Sequence, residues 1–342
     1  MRTPRSVSLS RRGVLAAGGA AGIGALLAAC GGNGASGGWT GGGGGGPWSF
    51  TDDRGRQVAL PDRPHRIVAF TGTAAALHDF GIDDQIVGVF GPTTLANGDP
   101  DPQAGDLDVR KVTVIGNGYD QFNVEKYAGL SPDLLVTNMY EPGALWYVPD
   151  DSKDKITKLA KTVALTASRK PLDQIIARYG ELAAALGADL KAKKVTDAKA
   201  RFERAAARLR KAAAAHRVKV LACSGSADLC YAANPGISAD LRYFASLGVD
   251  LIVPDHLDKG GYFESLSWEN ADTYPADVLL LDNRTATLQP KDLAAKPSWN
   301  ELPAVKAGQL TPWSSEPRFS HAGAAPLMEQ LAQAIERAKK VT

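Results

Sequence analysis

Eight short apolar runs recur along the chain: RIVAF (66–70), QIVGVF (85–90), DLLVT (133–137), TVALT (162–166), VKVLAC (218–223), DLIV (250–253), DVLLLD (277–282) and GQLTPW (308–313). Each is continuous rather than alternating, which is the pattern of a strand covered on both faces. Helical stretches such as AAALHDF and LMEQLAQAIERAKK lie between them. The order therefore reads β-α-β and predicts an α/β fold: two Rossmann-like lobes with mainly parallel sheets, joined by one long α-helix.

The joining helix is predicted over residues 188–216, which contain no glycine or proline and place Val195, Ala198, Phe202, Ala205 and Leu209 at helical spacing. Its apolar stripe is narrow and alanine-rich, as suits a helix lying across two bodies. A coiled-coil seam is the plain alternative, weakened by fewer than four heptads and few leucine or isoleucine core positions. The expected boundaries are an N-terminal lobe over 48–187, the connecting helix over 188–216 and a C-terminal lobe over 217–342.

The two lobes share a pattern. FNVEKYAGLSPDLLVTN offers Asn123 as a helix cap, Glu125 two residues on, then Pro132 and Asp133 before an apolar strand. LSWENADTYPADVLLLDN offers Ser267, Glu269, Pro275 and Asp277 in the same order, with cap, glutamate and aspartate at a constant offset of 144 residues. Upstream, a helix ended by Gly81 or by Gly248 precedes a strand in each case. The joint order argues for two similarly built halves.

The N-terminus carries a different signal. Arg2, Arg5, Arg11 and Arg12 precede an apolar run over 14–29 that is short for a membrane span, the layout of an export signal over residues 1–30. SRRGVLA resembles a twin-arginine signal without its usual phenylalanine, so the export route stays open. LAAC resembles a lipobox, which would put lipid on Cys30, the alternative being an ordinary thiol within a signal peptide. Two acyl chains there would anchor the protein stably to a membrane. Residues 31–47, rich in glycine, cannot bury apolar surface and read as a flexible tether.

Composition is that of a globular protein, with 44% apolar and 22% charged residues. The net charge of +2 comes without a dense basic stripe, so nucleic acid is not an expected partner. Besides Cys30, the cysteines are Cys223 and Cys230, flanking a turn-like SGSADL. In an exported protein a disulfide closing a hairpin-like loop is the favoured reading, with two buried thiols as the alternative. The five histidines, His65, His78, His216, His256 and His321, are scattered, and no cysteine pair has zinc spacing, so no metal centre is expected. After the tether there is no G-x-S-x-G elbow, Walker loop or strand-linked G-x-G-x-x-G. No catalytic constellation emerges, and no enzyme is expected.

Glu125 and Glu269 each fall at the second position of a predicted helix, where the helix dipole alone would favour a carboxylate. That explains one glutamate. A matched pair in two lobes also suits a partner with two cationic patches.

At this level the chain resembles a family. FTDDRGRQVALPDRPHRIVAFTGTAAALHDFGIDDQIVGVFG, NVEKYAGLSPDLLV, the long helix, LSWENADTYPADVLLL and LPAVKAGQLTPW...FSHAGAAPLMEQLAQAI follow, in order, the layout of the solute-binding lipoproteins of ABC importers for ferric siderophores, vitamin B12 and haem. The resemblance covers nearly all of the chain beyond the tether. It implies two lobes bridged by one helix, a ligand held between them, and one glutamate per lobe meeting permease arginines, here Glu125 and Glu269.

Ligands of open α/β sheets bind at the carboxyl ends of the strands. That rule selects Thr71, Gly72, Thr73, Thr93, Tyr119, Met139, Tyr140 and Trp146 in the first lobe. In the second it selects Ser224, Tyr231, Tyr262, Phe263, Asn283, Arg284, Trp313 and Arg318. Tyr119 and Phe263 match positions where the family places ligand-facing aromatics. Aromatic faces with a few guanidinium groups suit a bulky, partly apolar, anionic or oxygen-rich solute such as a ferric hydroxamate. The expectation is a monomeric, lipid-anchored, extracytoplasmic receptor for a ferric siderophore that delivers it to an ABC permease. It needs no cofactor, since iron arrives wrapped in its chelator. Vitamin B12 or haem binding is the alternative, and a tethered chelate-processing enzyme a more distant one.

Overall fold

The computed structural model describes residues 46–342. The signal segment, Cys30 and all but the last two residues of the tether lie outside the described residues. The chain enters through a hairpin, β1 (Trp48–Thr51) and β2 (Gln57–Leu60), followed by β3 (Ile67–Phe70), α1 (Thr71–Asp79), β4 (Ile86–Phe90), β5 (Thr113–Gly116), α2 (Val124–Gly129), β6 (Leu134–Met139), α3 (Lys153–Leu159), β7 (Lys161–Thr166), α4 (Leu172–Ala185) and α5 (Lys193–His216). The second half holds β8 (Lys219–Gly225), β9 (Leu229–Ala233), α6 (Ala239–Ser246), β10 (Asp250–Leu251), β11 (Phe263–Ser267), β12 (Val278–Asp282), α7 (Pro290–Leu293), α8 (Pro297–Glu301), α9 (Pro303–Lys306), β13 (Leu310–Trp313) and α10 (His321–Arg337).

Every predicted apolar run carries a strand. The first sheet is parallel throughout, in the order β5-β4-β3-β6-β7. The second, β11-β9-β8-β12-β13 with β10 beside β8, is mixed. Its β8, β12, β13 and β10 pair parallel, while β8-β9 and β9-β11 pair antiparallel. The expectation of mainly parallel sheets thus missed this antiparallel edge: β11 alternates apolar and polar residues, and the apolar LCYAA of β9 directly follows the turn after β8.

The exposed edge of β7 would be a template for aggregation if left bare. Side chains from the turn of the β1–β2 hairpin cover it instead. Asp52 Oδ2 accepts from Ala164 N at 3.2 Å, Asp53 Oδ2 accepts from Thr166 N at 2.8 Å, and Arg54 donates to Thr162 O at 2.6 Å.

The repeat seen in the sequence is real at its start points. Asp133, just before β6, accepts from the backbone amides of His65 and Arg66 ahead of β3. Asp277, just before β12, accepts from Lys219 N at 2.8 Å at the head of β8. In both halves one aspartate pins two neighbouring parallel strands in register.

The long helix starts at Lys193, not at residue 188. Asp189 Oδ1 accepts from Lys191 N at 2.9 Å, a local turn that competes with the helix. Its 24 residues extend roughly 36 Å. Arg201 reaches Glu329 at 2.6 Å and Arg208 reaches Glu336 at 2.5 Å. Both partners step seven residues in the same sense, so α5 and α10 run parallel. At one end Lys194 Nζ donates to His78 O in α1, and in the middle Phe202 stacks on Tyr243 of α6. The helix therefore touches both halves.

One apolar cluster continues from Val136 and Leu165 through Ile176, Phe202 and Leu209 to Val220, Leu280 and Met328. The halves share a core on the helix side, which restricts any opening to the opposite side. Among the described residues no helix is long and apolar enough to cross a membrane.

The expected disulfide is not formed: Cys223 and Cys230 are both free and buried. The β8–β9 register pairs Cys223 with Ala232 and Gly225 with Cys230. The two cysteines are thus diagonal neighbours, about 7–8 Å apart at Cα, beyond the usual disulfide span of about 4.4–6.8 Å.

Candidate ligand-binding cleft

Loops leaving the carboxyl ends of the strands in the two sheets meet around a cavity of about 270 Å³, lined from one side by Pro92, Asp101, Gln103 and Tyr147 and from the other by Asn283, Arg284, Thr285, Glu316 and Arg318. This volume lies just below the range of about 300–1,000 Å³ usual for small-molecule sites.

Arg284 follows directly from the end of β12. Its backbone amide and Nε bond to Asp282, its Nη2 lies 2.7 Å from Asp282 Oδ2, and its Nη1 lies 2.7 Å from Glu316 Oε1. Burial disfavours the charged guanidinium. The Asp282 hydrogen bond and the two carboxylate charges outweigh that and hold its pKa above the ordinary arginine value. Glu316 Oε2 in turn accepts from Gln103 Nε2 at 3.0 Å and Trp146 Nε1 at 3.1 Å. One carboxylate, 7% exposed, thereby ties the two halves together across the cleft.

Arg318 makes a second tie. Its Nε lies 3.1 Å from Asp79 Oδ2 at the end of α1, and its Nη1 lies 3.5 Å from Asp106. Burial raises the Asp79 pKa against the lowering effects of Arg318 and the Ser320 hydroxyl. Two glycines make room for the guanidinium: a Cβ at Gly105, where φ is +55°, would come within 1.8 Å of Nη1, and one at Gly323 within 2.6 Å of Nε. Both arginines expected to meet an anionic solute are therefore already balanced by carboxylates.

An aromatic group stands at the first-lobe wall. Trp146 lies 4.8 Å from Tyr140, 5.5 Å from Tyr147 and 6.2 Å from Tyr119, measured between ring centroids. Tyr119 is 61% exposed. Tyr147 has a φ of +57°, costly for a bulky residue, and burial pushes its hydroxyl up to about 12.

Other predicted residues hold the scaffold. Thr71 donates to Phe90 O and pairs with the Thr93 hydroxyl at 2.7 Å, and Thr73 donates to Asn138; all three threonines are fully enclosed. Gly72 faces Phe70, and Met139 sits in a core cluster with Val68 and Leu135. The Tyr262 hydroxyl donates to Tyr140 O at 2.6 Å and lies 3.2 Å from the Ser168 hydroxyl, another tie between halves. Ser224 is buried in β8, opposite Tyr231, which packs on Phe263 at 6.1 Å. Trp313 is 2% exposed and donates from Nε1 to Asp240 at 2.6 Å. Asn283 is exposed at the cavity wall. Of the predicted set, Asn283, Arg284 and Arg318 line this cavity; Tyr119 and Trp146 adjoin it through ring contacts with Tyr147, and Tyr140 lines a separate cavity together with Met139.

Sequence reasoning missed Asp101, Gln103, Tyr147 and Glu316. Asp101 and Gln103 sit in a stretch of short 3-10 turns between β4 and β5, where no periodicity marks them. Tyr147 was visible as the neighbour of Trp146, and Glu316 lies two residues before Arg318.

The two exposed glutamates differ locally. Glu125 is in the first turn of α2, capped by Asn123, whose side chain accepts from Lys126 N at 2.9 Å. Glu269 sits in a 3-10 turn over Trp268–Asn270 rather than an α-helix. Its own backbone amide and the Ser267 hydroxyl hold its carboxyl below the usual range.

Two sheets of similar build, a single long helix beside both, and a cleft at the strand ends define a bilobal solute-binding protein. The chain belongs to the periplasmic binding protein family, whose model matches residues 67–317. It is similar to DesE, a ferric-siderophore receptor protein from Streptomyces coelicolor, at 54% identity, covering 86% of this chain and 100% of DesE with a TM-score of 0.83. It shares its fold with the petrobactin-binding protein YclQ from Bacillus subtilis (18% identity, 85% and 99% of the two chains, TM-score 0.64). It does so also with PiuA, an iron uptake ABC transporter substrate-binding protein from Streptococcus pneumoniae (21% identity, 84% and 98%, TM-score 0.60). No match was found among the curated proteins.

Proposed function

We propose that this protein is an extracytoplasmic receptor, anchored through lipid on Cys30, that takes up a ferric siderophore in the cleft and hands it as a monomer to an ABC permease. The observation that carries this reading is the 54% identity to a ferric-siderophore receptor over that receptor's whole length. The protein acts by binding alone, with iron carried inside its chelator.

The charge of the cleft favours the hydroxamate class. Three hydroxamates cancel the charge of ferric iron, whereas a tris-catecholate complex keeps three negative charges. Arg284 and Arg318 each face at least one carboxylate within 3.1 Å, so they offer no uncompensated positive charge to such an anion. The Trp146, Tyr147 and Tyr119 faces supply apolar area for the chelate's methylene loops.

The test is a titration of purified protein with ferrioxamine, haemin and cobalamin, followed by tryptophan fluorescence. Saturable quenching by ferrioxamine is expected. Quenching by haemin or cobalamin alone would overturn the assignment.

A further inference from the structure

The ties between the two halves differ in what it costs to break them. On the helix side the halves share one apolar core, and Asp79, next to the His78 that meets α5, pairs with Arg318 at 3.1 Å. Asp79 is 4% exposed, so parting that pair would strand a buried carboxylate. A second fixed tie runs through the backbone, where Arg169 N donates to Ile237 O at 2.8 Å and Ser168 is bridged to Ser238. At the cavity the tie is one carboxylate. Glu316 Oε2 accepts from Gln103 Nε2 at 3.0 Å and Trp146 Nε1 at 3.1 Å, while its Oε1 accepts from Arg284 of its own half. Both donors belong firmly to the first half: Trp146 donates from N to Asn138 O at 2.9 Å and accepts at O from Thr137 Oγ1 at 2.8 Å, both in β6, and Gln103 sits in a 3-10 turn capped by Asp101. If the halves part here, Glu316 keeps its counter-charge and water replaces the two donors. The shut form also carries a cost at this point, because Gln103 Oε1 is buried without a donor and parting would hydrate it.

We infer that the contact of Glu316 with Gln103 and Trp146 is a latch that shuts the cleft and must part before a chelate enters. The enclosed space of about 270 Å³ lies below the range that holds drug-sized ligands, so the shut form excludes a whole ferric chelate. The other contact across this cavity, from the Thr285 hydroxyl to Asp101 at 3.4 Å, is long and adds little to the latch. Ligand is then captured only by molecules whose latch is open, and removing a donor to Glu316 raises their fraction. The core and the Arg318 pair keep the halves together while it opens. This inference rests on the siderophore reading and adds to it what governs entry.

The experiment follows the association of ferrioxamine with the wild-type protein, Gln103→Leu and Trp146→Phe by stopped-flow tryptophan quenching at pH 7. Each variant removes one donor to Glu316 and keeps an apolar side chain in its place, and each is first checked for a cooperative melting transition. Both should associate roughly tenfold faster than wild type, the change expected when one hydrogen bond to a carboxylate no longer opposes opening. A merely structural contact would not speed binding when lost. Unchanged or slower association in either variant would overturn the latch and leave the receptor reading standing. Quenching in none of the three proteins would overturn the receptor reading and the latch with it.

Discussion

Arg284 Nη1 lies 2.7 Å from Glu316 Oε1 while its other nitrogens grip Asp282, so one guanidinium bridges two buried carboxylates, one ending β12 and one just past β13. Removing it leaves both charges with little water to replace it. Arg284→Ala should therefore cost about 3 kcal/mol of stability in urea unfolding. Arg284→Lys should recover only part of that, because an ammonium cannot fork between the two carboxylates. A loss under 1 kcal/mol for the alanine variant would show that solvent reaches the pair.

Asp240 is fully buried, with Oδ1 unpartnered and Oδ2 bonded by Trp313. Burial raises its pKa to about 6 from 3.8, against the lowering effect of the Trp313 bond. Its contribution to stability is fully present below pH 3.8 and is lost as the pH rises through about 6. Relative to wild type, Asp240→Asn should gain on the order of 2–3 kcal/mol between pH 4 and pH 7.5. Paired thermal melts at the two pH values read this directly, and a pH-independent difference would refute it.

Phe202 inserts between Tyr243 and His321, where α5 meets α6 and α10. Phe202→Ala should cost about 3–4 kcal/mol. Glu329→Ala and Glu336→Ala, which remove partly exposed ion pairs on the same helix contact, should each cost at most about 1 kcal/mol. The reverse ranking would mean that the ion pairs, not the shared core, hold the long helix in place.

Cys223 and Cys230 should behave as inert thiols. Burial pushes the Cys223 thiol well up and that of Cys230 up to about 11, so neither ionises at neutral pH. Alkylation should leave both unmodified in the native protein and modify both in guanidinium without reductant. A requirement for reductant would establish a disulfide.

For the docking role of the two glutamates, Glu125→Arg combined with Glu269→Arg should leave ligand affinity unchanged and abolish uptake by iron-starved cells. Both side chains are exposed and outside the cavity lining, so a loss of ligand binding is not expected. Normal uptake in the double variant would reduce both to compensation of local dipoles.

The strands, the long helix and the capped glutamates were legible because each depends on residues a few positions apart. IVAF is apolar on both faces wherever it is placed, and Asn123 caps a helix through a bond three residues away. The start of α5 was misjudged by five residues because the turn made by Asp189 is as local as the helix it displaces. The disulfide was misjudged because spacing in sequence says nothing of strand register, and a two-residue slide along the ladder separates an opposed pair from a diagonal one.

The α/β order, the paired halves and the helix between them were thus determined by the sequence alone, through short-range periodicity and caps. The character of the cleft was decided only by the tertiary structure. Arg284 and Arg318 read in sequence as free positive charges; Asp282, two residues from Arg284, is a local partner, but Glu316 on Arg284 and Asp79 and Asp106 on Arg318 are brought there only by folding. Charge at a buried site is set by partners far apart along the chain, as Gln103 and Glu316 are, and no local pattern records which of them will meet.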